Sequence, residues 1–203
     1  FENQDLFNSN YPADFIAEGV DQTRGWFFTL HAISSLLFDT VAFKNVIANG
    51  LVLDKNGNKM SKRLGNAVNP LDVIEQYGLD ATRCYMISNT NPWDNLKFDT
   101  NGILDVQRKF FGTLSNTYSF FALYANLDGF NFKNKAISAT EKTESDLWVI
   151  SRLNSIVREV DQYYDEYEPT KAVRAIQSFT VNDLSNWYIR LNRKRFWIGD
   201  YNQ

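Results

Sequence analysis

Soft metal ligands are almost missing from this chain: it has one cysteine, Cys84, and one histidine, His31. A lone thiol excludes an internal disulfide, and one imidazole beside it leaves no ligand set spaced for zinc. The two residues read as a small buried group and a helix-surface ring. Also missing is any apolar run approaching the roughly 18 to 20 residues that span a bilayer, so no membrane partner is expected. No basic-then-apolar leader opens the sequence, which makes the cytoplasm the default expectation. The chain starts at Phe1, and its only methionines are Met60 and Met86. It is therefore expected to be a piece of a longer protein. Strong charge is lacking too: residues 1–100 hold 8 basic against 12 acidic side chains and residues 101–203 hold 13 against 12. That difference is too small to imply nucleic acid by itself. Neither an internal repeat nor a low-complexity stretch is present. What remains is 203 residues with 44% hydrophobic content, enough for one large domain or two small ones.

The first half reads as α/β. "DFIAEG" (14–19) is a short strand ending at Gly19. "RGWFFTLHAISSLLF" follows with Trp26, Leu30, Ile33 and Leu37 at helical spacing, and "FKNVIANGLVLD" (43–54) restores a β-rich run. Strand, helix and strand are the parts of a parallel crossover. "NPLDVIEQYG" predicts a helix with Pro70 in its first turn and Gly78 past its end. "LDATRCYMIS" predicts another, capped by Asp80. The turn-rich connector "NTNPWDNLKFD" (89–99) is taken as the domain boundary.

From Asn101 the periodicity is helical. Ile103, Val106, Phe110, Leu114, Thr117, Phe121 and Tyr124 keep one phase. After a polar segment (128–145), Leu147, Ile150, Leu153, Ile156, Val157 and Val160 keep another. "EPT" then starts a third helix that runs to about Trp197. Three long helices with short links predict an antiparallel bundle.

Three stretches carry candidate chemistry. "EGVDQTRGWF" (18–27) sets Glu18, Asp21 and Gln22 where a strand hands over to a helix, the place where open α/β sheets bind ligands. Glu18 suits an ammonium group, Asp21 ribose hydroxyls, and Gln22 offers a donor and an acceptor. Equally, Asp21 is placed to cap the helix and Glu18 to be a solvated strand-end charge. Trp26 fits the helix's apolar face or the wall of an aliphatic pocket. In "NGLVLDKNGNKMSKRLGN" (49–66), Lys59, Lys62 and Arg63 follow a turn, either as a solvated surface or as a cradle for a triphosphate. It is not a P-loop, since the G-x-x-x-x-G-K-[ST] spacing is absent. "NWYIRLNRKRFW" (186–197) interleaves Trp187 and Trp197 with Arg190, Arg193, Lys194 and Arg195, suiting unstacked RNA bases and phosphates, or else a helix end whose cations answer its dipole.

Taken in order, "EGVDQTRGWF", "KMSKR", "DATRCYMIS" and "DLSNWYIRLNRKRFW" closely resemble the isoleucyl-tRNA synthetases, a family of class I aminoacyl-tRNA synthetases, over nearly the whole chain. Valyl, leucyl and methionyl relatives share the KMSK-type loop, while the first stretch is associated with the isoleucine enzymes. The resemblance implies the C-terminal half of a Rossmann-like catalytic domain (1–99) joined to part of a helical anticodon-binding domain (100–203). It makes Lys59, Met60, Ser61, Lys62 and Arg63 the catalytic loop that closes over Mg-ATP, with Lys62 on the phosphates. Many bacterial members end this motif in serine; Arg63 departs from them and looks like the eukaryote-like branch. Glu18, Gly19, Asp21, Gln22 and Trp26 fall where the family binds the adenylate, with Trp26 lining the isoleucine side-chain pocket. Trp187, Arg190, Arg193, Lys194 and Arg195 become candidate tRNA contacts.

The implied reaction is ligation of isoleucine to tRNA(Ile) through isoleucyl-adenylate, with tRNA(Ile), isoleucine and ATP as partners. The family's HIGH-type signature and editing domain have no match in this chain, since "TLHAIS" is not that signature. The chain alone is therefore expected to be inactive, its parent to be monomeric, and any dimer of the piece to be a packing artefact. Zinc, if the parent binds it, is expected elsewhere. Two alternatives stay open: a stand-alone tRNA-binding or interaction module, and a valyl- or leucyl-type synthetase.

Overall fold

A computed structural model describes residues 2–131 and 138–197. The chain divides into two compact units: one runs up to Val68 and includes Asn89–Asp99, and the other joins Asn69–Ser88 to the residues from Thr100 onward.

In the first unit, α1 (Gln4–Asn10) precedes β1 (Ala13–Gly19), and α2 (Trp26–Phe38) leads to β2 (Phe43–Asn49). The two strands are parallel, with Ala13 opposite Phe43 and Gly19 opposite Asn49, so the predicted crossover is present. Its helix is closed at both ends. The Gln22 side-chain oxygen accepts from the Trp26 amide at 2.9 Å, and Asp39, at φ 51°, returns its amide to the Ser35 carbonyl. Aromatic stacking ties α1 to the crossover, with Phe7 4.6 Å from the Tyr11 ring and 5.2 Å from that of Phe38. Buried Ser34 bonds both the Tyr11 hydroxyl and the Thr40 carbonyl. Several large apolar side chains of α2 stay exposed, Leu36 and Leu37 foremost.

The β-rich run predicted over 43–54 is not one strand. At Gly50 the backbone passes so close to Asp94 that an added Cβ would lie 2.2 Å from the Asp94 carbonyl oxygen. The Gly50 amide donates to the Pro92 carbonyl, and the chain leaves the first sheet. β3 (Val52–Leu53) then pairs in parallel with β4 (Leu96–Lys97), inside the stretch expected to be only a connector. Leu96, in β4, and Phe98, just after it, are buried.

The second unit begins with α3 (Pro70–Tyr77) and α4 (Leu79–Asn89). Asn69 caps α3 by accepting from the Leu71 amide, Pro70 occupies the first turn, and Gly78, at φ 84°, ends the helix. Because α4 starts at Leu79, Asp80 lies inside its first turn and is not the cap expected of it. These helices pack with the later ones. The Thr170 hydroxyl, fully buried, donates to the Ile87 carbonyl at 2.8 Å, Arg174 donates to the Ser88 carbonyl at 2.7 Å, and Gln177 donates to the Cys84 sulfur at 3.3 Å. Burial pushes the Cys84 thiol up, against the Gln177 bond that lowers it, so this cysteine is a packing residue. Residues 69–88 therefore pack with the helices, although in sequence they lie within the stretch 1–99 predicted as one domain.

Helical structure continues through α5 (Thr100–Val106), a π-helical turn at Gln107–Phe111 and α6 (Gly112–Leu127). Of the predicted stripe, Ile103 is fully buried. The predicted polar link at 128–145 includes residues 132–137, which lie outside the described residues. α7 (Glu144–Asp165) opens with a capping box: the Thr143 side chain accepts from the Asp146 amide and the Asp146 carboxylate accepts from the Thr143 amide. The predicted third helix is three segments, α8 (Pro169–Ser178), a π-helical stretch at Phe179–Ile189 and α9 (Arg190–Trp197). Ile156, Ala172 and Phe179 are buried in this part.

Candidate functional site

The candidate residues of the first unit lie at or just beyond the carboxyl ends of parallel strands. Glu18 and Gly19 end β1, and Asp21 and Gln22 lie in the single 3-10 turn that joins it to α2 (Val20–Arg24). Asp21 folds back over the strand end, its Oδ1 being 2.6 Å from where a Gly19 Cβ would be. Gln22, rather than Asp21, caps α2, and its amide nitrogen donates to the Asp21 carboxylate at 3.2 Å. One side chain thus fixes the helix start and steers the neighbouring carboxylate. Glu18 and Asp21 remain exposed, open to a ligand. Trp26, about half exposed, borders an apolar cavity of about 410 Å³ with Tyr11, Ile16, Leu30, Ile33 and Phe43. Both readings of its indole, packed against α2's apolar face and walling a pocket, describe the same place.

β3 ends at Leu53, and the loop from Asp54 to Asn66 carries Lys59, Met60, Ser61, Lys62 and Arg63. The cations are exposed, as a solvated surface would have them, but the backbone beneath them is held by side chains. Asp54 Oδ1 accepts from the Asn56 and Asn58 amides at 2.9 and 2.8 Å, closing the "DKNGN" turn, and Leu53 bridges back to Lys59. Ser61 then caps a 3-10 turn, Lys62–Leu64, by accepting from the Arg63 amide. Gly65, at φ 65°, reverses the chain in a conformation that side chains with a Cβ rarely adopt. This brings Asn66 back across the loop, where it bonds the Ser61 amide, the Lys59 carbonyl and Asp54. Lys59, Lys62 and Arg63 project into solvent from this framework. Three cations on a hydrogen-bonded turn can neutralise a polyanion such as a triphosphate. Asp54 carried an Asx-turn signal in the sequence, while Asn66 had none, because its partners lie 5 to 12 residues away.

In the second unit the cationic end of α9 is not uniform. Arg195 pairs with Asp146 at 2.8 Å and also donates to Thr143 and Asn192. The Arg193 guanidinium lies 5.4 Å from the Phe120 ring centroid and 5.6 Å from that of Trp197. Arg190, Lys194 and Trp187 are exposed, and Trp187 stands 6.4 Å from Trp148, another exposed indole. Arg195 is thus engaged in holding helices together, and the open cations are its neighbours. Burial pushes Asp146 up, but hydrogen bonds from Arg195, Tyr188 and Thr143 overcome it and hold the carboxyl far below the usual range. Sequence reasoning missed Asp146: its spacing from Thr143 was a local capping-box signal, while its bonds to Tyr188 and Arg195 span more than forty positions. Among the described residues no cluster of three or more His, Cys, Asp or Glu is arranged to hold a metal, and no helix is long and apolar enough to cross a membrane.

Residues 1–99 match the family described as tRNA synthetases class I (I, L, M and V), and residues 146–203 match the anticodon-binding domain of tRNA ligase. The chain belongs to the class I tRNA synthetases. Among them it sits with the isoleucine–tRNA ligases: it is 72% identical to that of Cytophaga hutchinsonii over 202 residues and 66% identical to that of Bacteroides fragilis over 205, each match covering 100% of this chain. Identity to the Thermus thermophilus isoleucine–tRNA ligase is 46% over 98% of this chain. The chain spans 18% of the length of the first two relatives and 19% of the third. The fold is also that of class I enzymes of other specificity. A leucyl enzyme from Agrobacterium radiobacter K84, solved in a ternary complex with tRNA and LeuAMS, superposes with a TM-score of 0.73 at 21% identity over 94% of this chain and 24% of its own. Mycobacterium tuberculosis methionyl-tRNA synthetase bound by methionyl-adenylate gives 0.72 at 21% identity over 95% of this chain and 37% of its own.

Proposed function

We propose that the full protein containing this chain activates isoleucine with Mg-ATP to isoleucyl-adenylate and transfers the isoleucyl group to tRNA(Ile) in the cytoplasm. This part of it supplies the second half of a Rossmann-like catalytic domain (1–99) and the start of an antiparallel helical, anticodon-binding domain (100–203), and is inactive alone. The parent acts as a monomer. The observation that carries the reading is the braced KMSKR loop with Lys62 facing solvent, in a chain 72% identical to an isoleucine–tRNA ligase along its whole length.

In the reaction, the isoleucine carboxylate attacks the α-phosphate of Mg-ATP, the bond to the β-phosphate bridging oxygen breaks, and magnesium pyrophosphate leaves. Charge builds on the phosphate oxygens in the transition state, where Lys62 and Lys59, presented on a loop, meet it. Glu18 holds the isoleucine ammonium group, Asp21 accepts from the ribose hydroxyls, Gln22 keeps Asp21 aimed, and Gly19 lets the adenylate approach the backbone. Trp26 contacts the aliphatic side chain, in keeping with its apolar surroundings. Arg190, Arg193, Lys194 and Trp187 contact tRNA.

Amino-acid-dependent ATP–pyrophosphate exchange by the intact protein is the test. Exchange with isoleucine well above that with valine or leucine supports the assignment; exchange led by valine or leucine, or none, overturns it.

A further inference from the structure

The loop that carries Lys62 is held by the side chains of Asp54 and Asn66. Asp54 directly follows β3, so its backbone is anchored to the β3–β4 pair. Its Oδ1 closes the turn through Asn56 and Asn58, and its Oδ2 accepts from Asn66 Nδ2 at 2.9 Å. Asn66 reaches two more points. Its Oδ1 accepts from the Ser61 amide at 2.8 Å, and its Nδ2 donates to the Lys59 carbonyl at 3.3 Å. These two points lie on either side of Met60, so the staple grips the backbone one residue before Lys62. Asn66 is bonded through both ends of its amide, and a carboxylate in its place could accept from Ser61 but could not donate to Asp54. Bonding to Asn66, then to Asn58 and Asn56, also holds the Asp54 carboxyl below its ordinary value, so it stays an acceptor throughout the neutral range.

We propose that Asp54 and Asn66 are positioning residues for adenylate formation, stapling the loop backbone on both sides of Met60 so that Lys62 is presented from a turn anchored on β3. This rests on the function proposed above. The staple acts on the loop backbone. It lowers the number of loop conformations from which Lys62 must be recruited, which favours the transition state over dispersed ground states.

The experiment uses the full-length protein and follows isoleucine-dependent ATP–pyrophosphate exchange, with kcat and both KM values resolved, alongside trypsin cleavage after Lys59, Lys62 and Arg63. Asn66→Asp replaces a donor with a second carboxylate facing Asp54. It is expected to lower kcat about ten- to a hundredfold, to leave KM for isoleucine within about twofold, since that site is separate, and to speed cleavage. Asn66→Ala is expected to do the same more mildly. In the swap Asp54→Asn with Asn66→Asp, the amide at 54 donates to the carboxylate at 66, which still accepts from the Ser61 amide but no longer donates to the Lys59 carbonyl, so kcat returns in part. In a Lys62→Ala background Asn66→Asp costs little more, because the staple acts through Lys62. Wild-type exchange with unchanged cleavage in Asn66→Asp, no recovery in the swap, or an additive loss in the Lys62→Ala background overturns the staple. A wild-type protein with no isoleucine-dependent exchange overturns the functional reading, and the staple with it. An active wild type with an unaffected Asn66→Asp overturns the staple alone.

Discussion

Arg195 of α9 grips Asp146, in the first turn of α7, with both terminal guanidinium nitrogens: Nη1 meets Oδ1 at 2.8 Å and Nη2 meets Oδ2 at 3.0 Å. Tyr188 adds its hydroxyl to Oδ1 at 2.7 Å, and the same carboxylate completes the capping box of α7. A single side chain therefore caps one helix and docks another onto it. Arg195→Met would leave a partly buried carboxylate short of its charged partner, at a cost of about 2 kcal/mol, whereas Tyr188→Phe would cost about 1 kcal/mol. Denaturant midpoints of the two variants check the order, and an Arg195→Met midpoint equal to the wild type would refute the role.

The same network sets a pH window. The carboxyl of Asp146 is held far below its ordinary range, so its contribution is complete above about pH 4 and is lost as pH falls toward the folded-state value. Tyr188 goes the other way. Burial, then its bond to Asp146, pushes it up to about 12, so its contribution holds below about pH 10 and fades as pH climbs to its folded-state value. Stability of the helical unit should fall on both sides of this window, and Asp146→Asn should flatten the acid limb. Midpoints measured between pH 3 and 7 decide it, and an acid limb as steep in Asp146→Asn as in the wild type counts against it.

Lys62 is exposed at the start of its 3-10 turn, so its removal should leave the fold alone. Lys62→Ala in the full-length protein is expected to lower ATP–pyrophosphate exchange about a hundredfold, as the loss of one charged transition-state contact does. Isoleucine binding should change little. Exchange at the wild-type rate would sink the assignment of this loop.

The cations of α9 should separate by role. Arg190→Ala and Lys194→Ala are expected to weaken tRNA binding and each to reduce the salt slope by about one, with melting unchanged. Arg195→Met should instead lower the denaturant midpoint, as its engagement with Asp146 predicts. Titrations of tRNA at several salt concentrations, set beside melting curves, distinguish them; an unaltered slope in both exposed-cation variants removes them from the interface.

Close approach at Gly50 gives a backbone prediction. A methyl group there would meet the Asp94 carbonyl oxygen at 2.2 Å, and backbone cannot swing aside as a side chain does. Gly50→Ala should destabilise by about 1 to 3 kcal/mol and disturb the β3–β4 pair from which the KMSKR loop departs. A wild-type melting temperature would show that Asp94 has room to retreat.

Much of this architecture was legible locally. The parallel crossover followed from apolar periodicity, the start and end of α3 from Asn69, Pro70 and Gly78, and the order of motifs led to the family. Those features depend on neighbours within a turn or two of chain, where residue type, spacing and backbone preference act directly. The sequence by itself also marked out candidates for a ligand site by residue type: Glu18 for an ammonium group, Asp21 for ribose hydroxyls, and Lys59 and Lys62 for a triphosphate.

Tertiary structure alone decided the rest. That β2 stops at Asn49 depends on Asp94 lying against Gly50, 44 residues further on. That 69–88 joins the helices depends on Thr170, Arg174 and Gln177 reaching Ile87, Ser88 and Cys84. Whether Arg195 faces RNA or a carboxylate depends on Asp146, and whether "KMSKR" is a loose turn or a stapled one depends on Asn66. In each case a group meets a partner beyond its own turn of chain, by a hydrogen bond or, at Gly50, by close packing, and only the path of the intervening chain brings the two together.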